Sequence, residues 1–93
     1  MRFEFDGRKS ATNREKHGID FVGARTLWED RDRIEIPART EDESRLMVIG
    51  RIGSRVWSAV ITYRGDNVRI ISVRPASRKE VELYEGEGIR REI

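Results

Sequence analysis

Arg69-Ile70-Ile71-Ser72-Val73-Arg74-Pro75-Ala76-Ser77 is the stretch whose reading decides the fold. Its first six residues alternate as a strand with one buried face does. Pro75 lacks the N–H needed to extend a ladder. Ser77, followed three residues later by Glu80, is a capping box that opens a helix. A strand therefore runs straight into a helix start, and Arg74 arrives at the corner between them.

Two further strand signals lie upstream, from Arg45 to Arg51 and from Val56 to Tyr63, before the third from Val68 to Arg74. Gly53-Ser54 and Gly65-Asp66 separate them as tight-turn dipeptides, which predicts an antiparallel meander. Ile34 and Ile36 begin a shorter strand that Pro37 stops or confines to a sheet edge, and a polar, acidic connection from Ala38 to Glu43 follows. At the start of the chain, Phe3 and Phe5 alternate with charged residues as a first strand. Asp6 caps a polar helix ended by Gly18, and Asp20 caps a second in which Phe21, Ala24, Leu27 and Trp28 recur at helical spacing. The last helix carries Val81, Leu83 and Tyr84, with Gly86 and Gly88 expected to end it. The predicted order is β-α-α-β-β-β-β-α. That describes a single α+β domain over residues 1–93, a twisted antiparallel sheet packed by two N-terminal helices and a C-terminal helix.

Composition narrows the function. The chain is 37% hydrophobic and 39% charged, enough for one core and no membrane span. Its N-terminus lacks the apolar run of a signal peptide. With no cysteine there is no disulfide, thiolate nucleophile or zinc–thiolate site, and a cytoplasmic protein is expected. No glycine-rich phosphate loop, metal-ligand cluster or Ser-His-Asp arrangement can be read, so neither a metal nor another cofactor is expected. The net charge is only +2. Several arginines, however, fall within or at the ends of strands. Clustered on one face they would suit a polyanion; otherwise they are solvated charges paired with the many glutamates.

Several pieces, in their joint order and spacing, carry a resemblance. They are Asn13 with Lys16-His17-Gly18-Ile19; Phe21 with Ala24; Glu43-x-Arg45 leading to Ile49-Gly50; Thr62-x-Arg64; Arg69-Ile70-Ile71-Ser72-x-Arg74-x-Ala76-Ser77; and Glu80-x-x-x-Tyr84. In these the chain resembles the BrnT family of type II toxin–antitoxin ribonucleases from Phe5 to Tyr84. The resemblance implies a RelE-like fold, an RNA endonuclease activity that inhibits translation, and a BrnA-like antitoxin. That partner would bind DNA and repress its own operon, in a 2:2 heterotetramer with the toxin. Pro75 departs from the family pattern, where another basic residue is usual.

Metal-free RNA cleavage uses the ribose 2′-OH as nucleophile on the adjacent phosphate. It needs a base near that hydroxyl, an acid near the leaving oxygen and cations over the phosphorane. His17 is the only side chain of a type that titrates near neutrality unaided; it also suits a helix C-terminus electrostatically. Arg74, beside the N-terminus of the last helix, is the natural phosphate clamp. Arg64 ends the neighbouring strand at the opposite end, on the order of 25–30 Å away, and is equally a turn or antitoxin contact. Tyr84 is a proton donor, a base-stacking platform or a half-buried helix residue. Glu43 is a base, an arginine-orienting group or a structural partner of Arg45. Lys9, Arg14 and Lys16 give the first helix a phosphate-facing surface, and Arg69 adds a further RNA contact. Trp57 is read as core. Two other classes fit the same chain. One is a non-catalytic module acting with a DNA-binding antitoxin as operon co-repressor. The other is a generic nucleic-acid binder.

Overall fold

The computed structural model describes residues 2–38 and 44–92, and of 87–92 the backbone alone. Strand β1 (Arg2–Glu4) is followed by α1 (Gly7–His17), α2 (Phe21–Ala24) and a 3-10 turn (Arg25–Glu29). Then come β2 (Ile34–Pro37), β3 (Leu46–Ile52), β4 (Arg55–Arg64), β5 (Asn67–Pro75) and α3 (Arg78–Glu92). Asp6 caps α1 by accepting from the Arg8 and Lys9 amides, and Asp20 caps α2 by accepting from the Gly23 amide. Gly18 closes α1 at φ 82°, a left-handed conformation that costs glycine little.

The five strands lie in the order β1-β5-β4-β3-β2. The meander is as expected, with two-residue turns at Gly53-Ser54 and Gly65-Asp66 joining antiparallel neighbours. The sheet as a whole is mixed, not antiparallel: β1 pairs in parallel with β5, Arg2 opposite Asn67 through Glu4 opposite Arg69. Phe3 and Phe5 could specify which face is buried but not strand direction. Direction follows from topology: the helices carry the chain from β1 to β2 at the opposite edge, and the meander then brings β5 back beside β1.

Two helical expectations also need correction. The second helix is a single α turn that tightens into the 3-10 segment. Val22, Gly23 and Thr26 make this stretch a poor α-helix former. Leu27 still reaches the core. The last helix continues past Gly86 and Gly88 instead of ending there. Gly86 takes no positive φ, so it lowers helix propensity without stopping the helix.

The sheet is packed on both faces. On one, Phe21, Ala24 and Leu27 sit against Val48, Ala59, Ile61, Val68, Ile70 and Val73, with Trp57 buried among them. On the other, Tyr84 and Val81 of α3 pack on Ile34, Ile49 and Val56. Between β4 and β5 the register shifts: Val60 faces Ser72 and Ile61 faces Ile70, leaving Ile71 as a bulge. Alongside β5, α1 is held by polar contacts. Buried Asn13 accepts from the Val73 amide (3.2 Å) and donates to the Ile19 carbonyl (2.8 Å), and Ser10 accepts from the Phe21 amide (2.9 Å).

Candidate functional site

The corner after β5 holds the densest polar cluster. Arg74 shares its sheet face with Ser58, which lies opposite it on β4. Its two terminal nitrogens donate to the two oxygens of Glu80, both at 2.7 Å. Glu80 Oε1 also accepts from Ser58 Oγ (2.9 Å) and the Ser77 amide (2.8 Å), while Ser77 Oγ accepts from the Glu80 amide. The capping box is therefore real, and its carboxylate doubles as the seat of an arginine fork. Four donors on one carboxylate, with Arg74 the strongest, pull the Glu80 acid down to about 2. The same hydrogen bonds, donated to Glu80, hold the Arg74 guanidinium still more firmly protonated. Arg74 Nη1 also donates to the Pro75 carbonyl (3.3 Å), and 43% of the side chain stays exposed.

From this corner a groove of about 650 Å³ opens across the sheet face that α3 leaves uncovered. Met47, Val60 and Ser72 contribute strand residues, Lys79, Glu80 and exposed Leu83 come from α3, and Arg45 lies on the far side. Arg45 Nε is buried without a partner among the described residues. A second cleft, of about 310 Å³, lies between α1 and β5. Lys9, Lys16 and His17 line it together with Ile71 and Ser72, which also border the groove.

The other expected residues stand apart. Arg64 and Arg69 both approach Glu4 Oε1, at 3.8 and 3.5 Å, beside the β1–β5 pairing. The register sets Arg64 six residues along β4 from the position opposite Arg74, on the order of 20 Å, closer than the expected 25–30 Å but far beyond sharing one phosphate. Tyr84 is 6% exposed and donates to Asp30 Oδ2 (2.7 Å), with Arg51 over its ring. Burial first, then the Asp30 carboxylate, pushes its phenol up. Its place is an anchor of α3 to the loop after the 3-10 turn, not the groove. Arg14 lies on exposed α1 outside the cleft lining, and Glu43 lies outside the described residues. Glu80, Ser58 and Lys79 were missed as site residues. Only the six-residue spacing from Arg74 to Glu80 across a strand–helix corner hinted at the pair. Among the described residues no three His, Asp or Glu side chains converge as a metal site requires, and no helix is long and apolar enough to cross a membrane.

Chemically, the corner presents fixed positive charge to an anion; neither Arg74 nor Glu80 is tuned to exchange a proton near neutrality. A family model for the ribonuclease toxin BrnT of type II toxin–antitoxin systems matches residues 5–80. No curated protein matches the chain significantly.

Proposed function

The chain belongs to the BrnT family of ribonuclease toxins of type II toxin–antitoxin systems, and from that premise we propose that the groove beside Arg74 cleaves RNA without a metal ion. The 2′-OH of a bound ribose attacks the adjacent phosphorus, the bond to the 5′-oxygen breaks, and a 2′,3′-cyclic phosphate is left. The observation that carries this reading is the Arg74–Glu80 fork. Glu80 fixes the guanidinium plane, the Pro75 carbonyl accepts a further bond from Nη1 (3.3 Å), and the N–H groups left over on this half-exposed side chain are the ones offered to a phosphoryl oxygen. Preorganised donors of this kind stabilise charge as it develops on the phosphorane, with no reorganisation at the moment of reaction. Lys79 adds a second positive charge at the groove. Neither member of the fork suits proton transfer; His17 is our candidate for it, and because it lines the cleft and not the groove, the reacting ribose is placed at their shared border at Ile71 and Ser72. Arg64, Arg69 and Arg14 are assigned peripheral RNA or antitoxin contacts, and Tyr84 a structural role.

A RelE-like fold is part of this reading, and the helix-packed sheet supports it. In the inactive state a BrnA-like antitoxin covers the groove in a heterotetramer, and any contact with DNA is the antitoxin's. The apolar floor of the groove and exposed Leu83 suit a protein cover as well as a base. One observation favours the alternative of a non-catalytic co-repressor: the Arg74 fork is already occupied by Glu80. The two readings separate on a substrate carrying one defined cleavage site. A ribonuclease of this type leaves a cyclic phosphate and a 5′-hydroxyl, and a 2′-deoxy substitution at the scissile ribose abolishes cutting. A co-repressor leaves both substrates intact.

A further inference from the structure

We propose that the substrate is single-stranded RNA laid over the open edge of β5, with its reactive phosphate in the groove and its flanking backbone in the cleft beneath α1. This rests on the ribonuclease reading and extends it to a second binding subsite. The geometry is specific. Strand β1 covers only Asn67–Arg69 of β5, and Asn13 occupies the Val73 amide. Between these two points the bulge at Ile71 and Ser72 forms the shared border of both cavities.

Charge identifies the occupant. Arg8, Lys9 and Lys16 line the cleft, and among the described residues none of them makes an ion pair. Elsewhere Arg64 and Arg69 pair with Glu4 and Arg78 pairs with Glu82. Helix α1 buries only Ser10 and Asn13 and has no acidic residue in its first turn. Its cationic face is therefore not required by packing, and it lines a cleft that continues the groove. A phosphodiester backbone satisfies such a face, each neutralised phosphate releasing condensed counterions. The strand must be single, because it bends over a sheet edge into a cleft of only about 310 Å³. Duplex RNA is recognised instead through its shape and minor groove.

The test uses labelled 2′-O-methyl RNA, which lacks the nucleophile and is bound without being cut, in a length series from about three to about ten nucleotides, the range in which small single-strand sites fill. The variant is Lys9→Ala with Lys16→Ala, both exposed, with its fold checked by thermal melting. For the wild-type protein affinity should climb with length. In the double variant the longest probes should weaken about tenfold, and the slope of log affinity against log salt should fall by about 1.4, two single-strand phosphate contacts. An unchanged length dependence and salt slope, from protein whose wild type still cuts unmethylated RNA, would overturn this path and leave the ribonuclease reading standing. A wild-type protein that neither binds the probes nor cuts RNA would overturn both.

Discussion

One carboxylate, Glu80, accepts hydrogen bonds from Arg74, Ser58 and the Ser77 amide, so it ties β4, β5 and the start of α3 together. Its acid is lowered from the usual 4.5 to about 2. A depressed carboxylate stabilises the fold fully above its unfolded value and loses that contribution as pH falls through 4.5 towards 2. Screening at half-exposed Arg74 limits the contribution to about 1–2 kcal/mol. Urea denaturation should therefore show stability falling between pH 5 and pH 2.5, with Glu80→Gln flattening that part of the profile. Tyr84→Phe removes one donor from Asp30, which the Arg51 amide still contacts. It should cost about 1 kcal/mol in the denaturation midpoint while RNA cleavage by the folded protein persists. At this scale the capping box was legible because its partners are three residues apart. The arginine fork and the Tyr84–Asp30 bond span 6 and 54 residues, and only the assembled fold brings the latter together.

Helix α1 shows how an element with almost no apolar face is kept in place. Asn13 and Ser10 replace hydrophobic packing with hydrogen bonds to β5 and to the turn before α2. Asn13→Ala should destabilise by about 2–3 kcal/mol, since it leaves a buried donor and acceptor unpaired. A loss under 0.5 kcal/mol in chemical denaturation would show that water replaces it. In α3, a Cβ at Gly86 would meet nothing within 4 Å. Gly86→Ala should then raise stability by about 0.5–1 kcal/mol through helix propensity. The caps at Asp6 and Asp20 and both hairpin turns were readable, because local backbone chemistry specifies them. The direction of β1 and the shortening of α2 were not, since topology and competing packing decide those.

Across the whole molecule, the two faces of the sheet do different work. The N-terminal helices close one face over the larger core. The other is covered by α3 in part only, and the rest remains the groove. Sequence order placed Arg74 at the strand–helix corner and Lys9, Lys16 and His17 on the first helix. It could not show that the bulge of β5 at Ile71 and Ser72 borders both the α1 cleft and the groove next to the Arg74 corner. Arg64 and Arg69 gather instead around Glu4, because they lie towards the β1 end of the same strands. The activity proposed for this corner is RNA cleavage by fixed cations without a metal. The most direct measurement is cleavage of a defined RNA by antitoxin-free protein in excess EDTA, beside Arg74→Ala shown to be folded. Cutting should survive EDTA and fall at least a hundredfold in the variant, as loss of one preorganised donor does elsewhere. Cutting abolished by EDTA and restored by added magnesium, or equal rates in the two proteins, would contradict it.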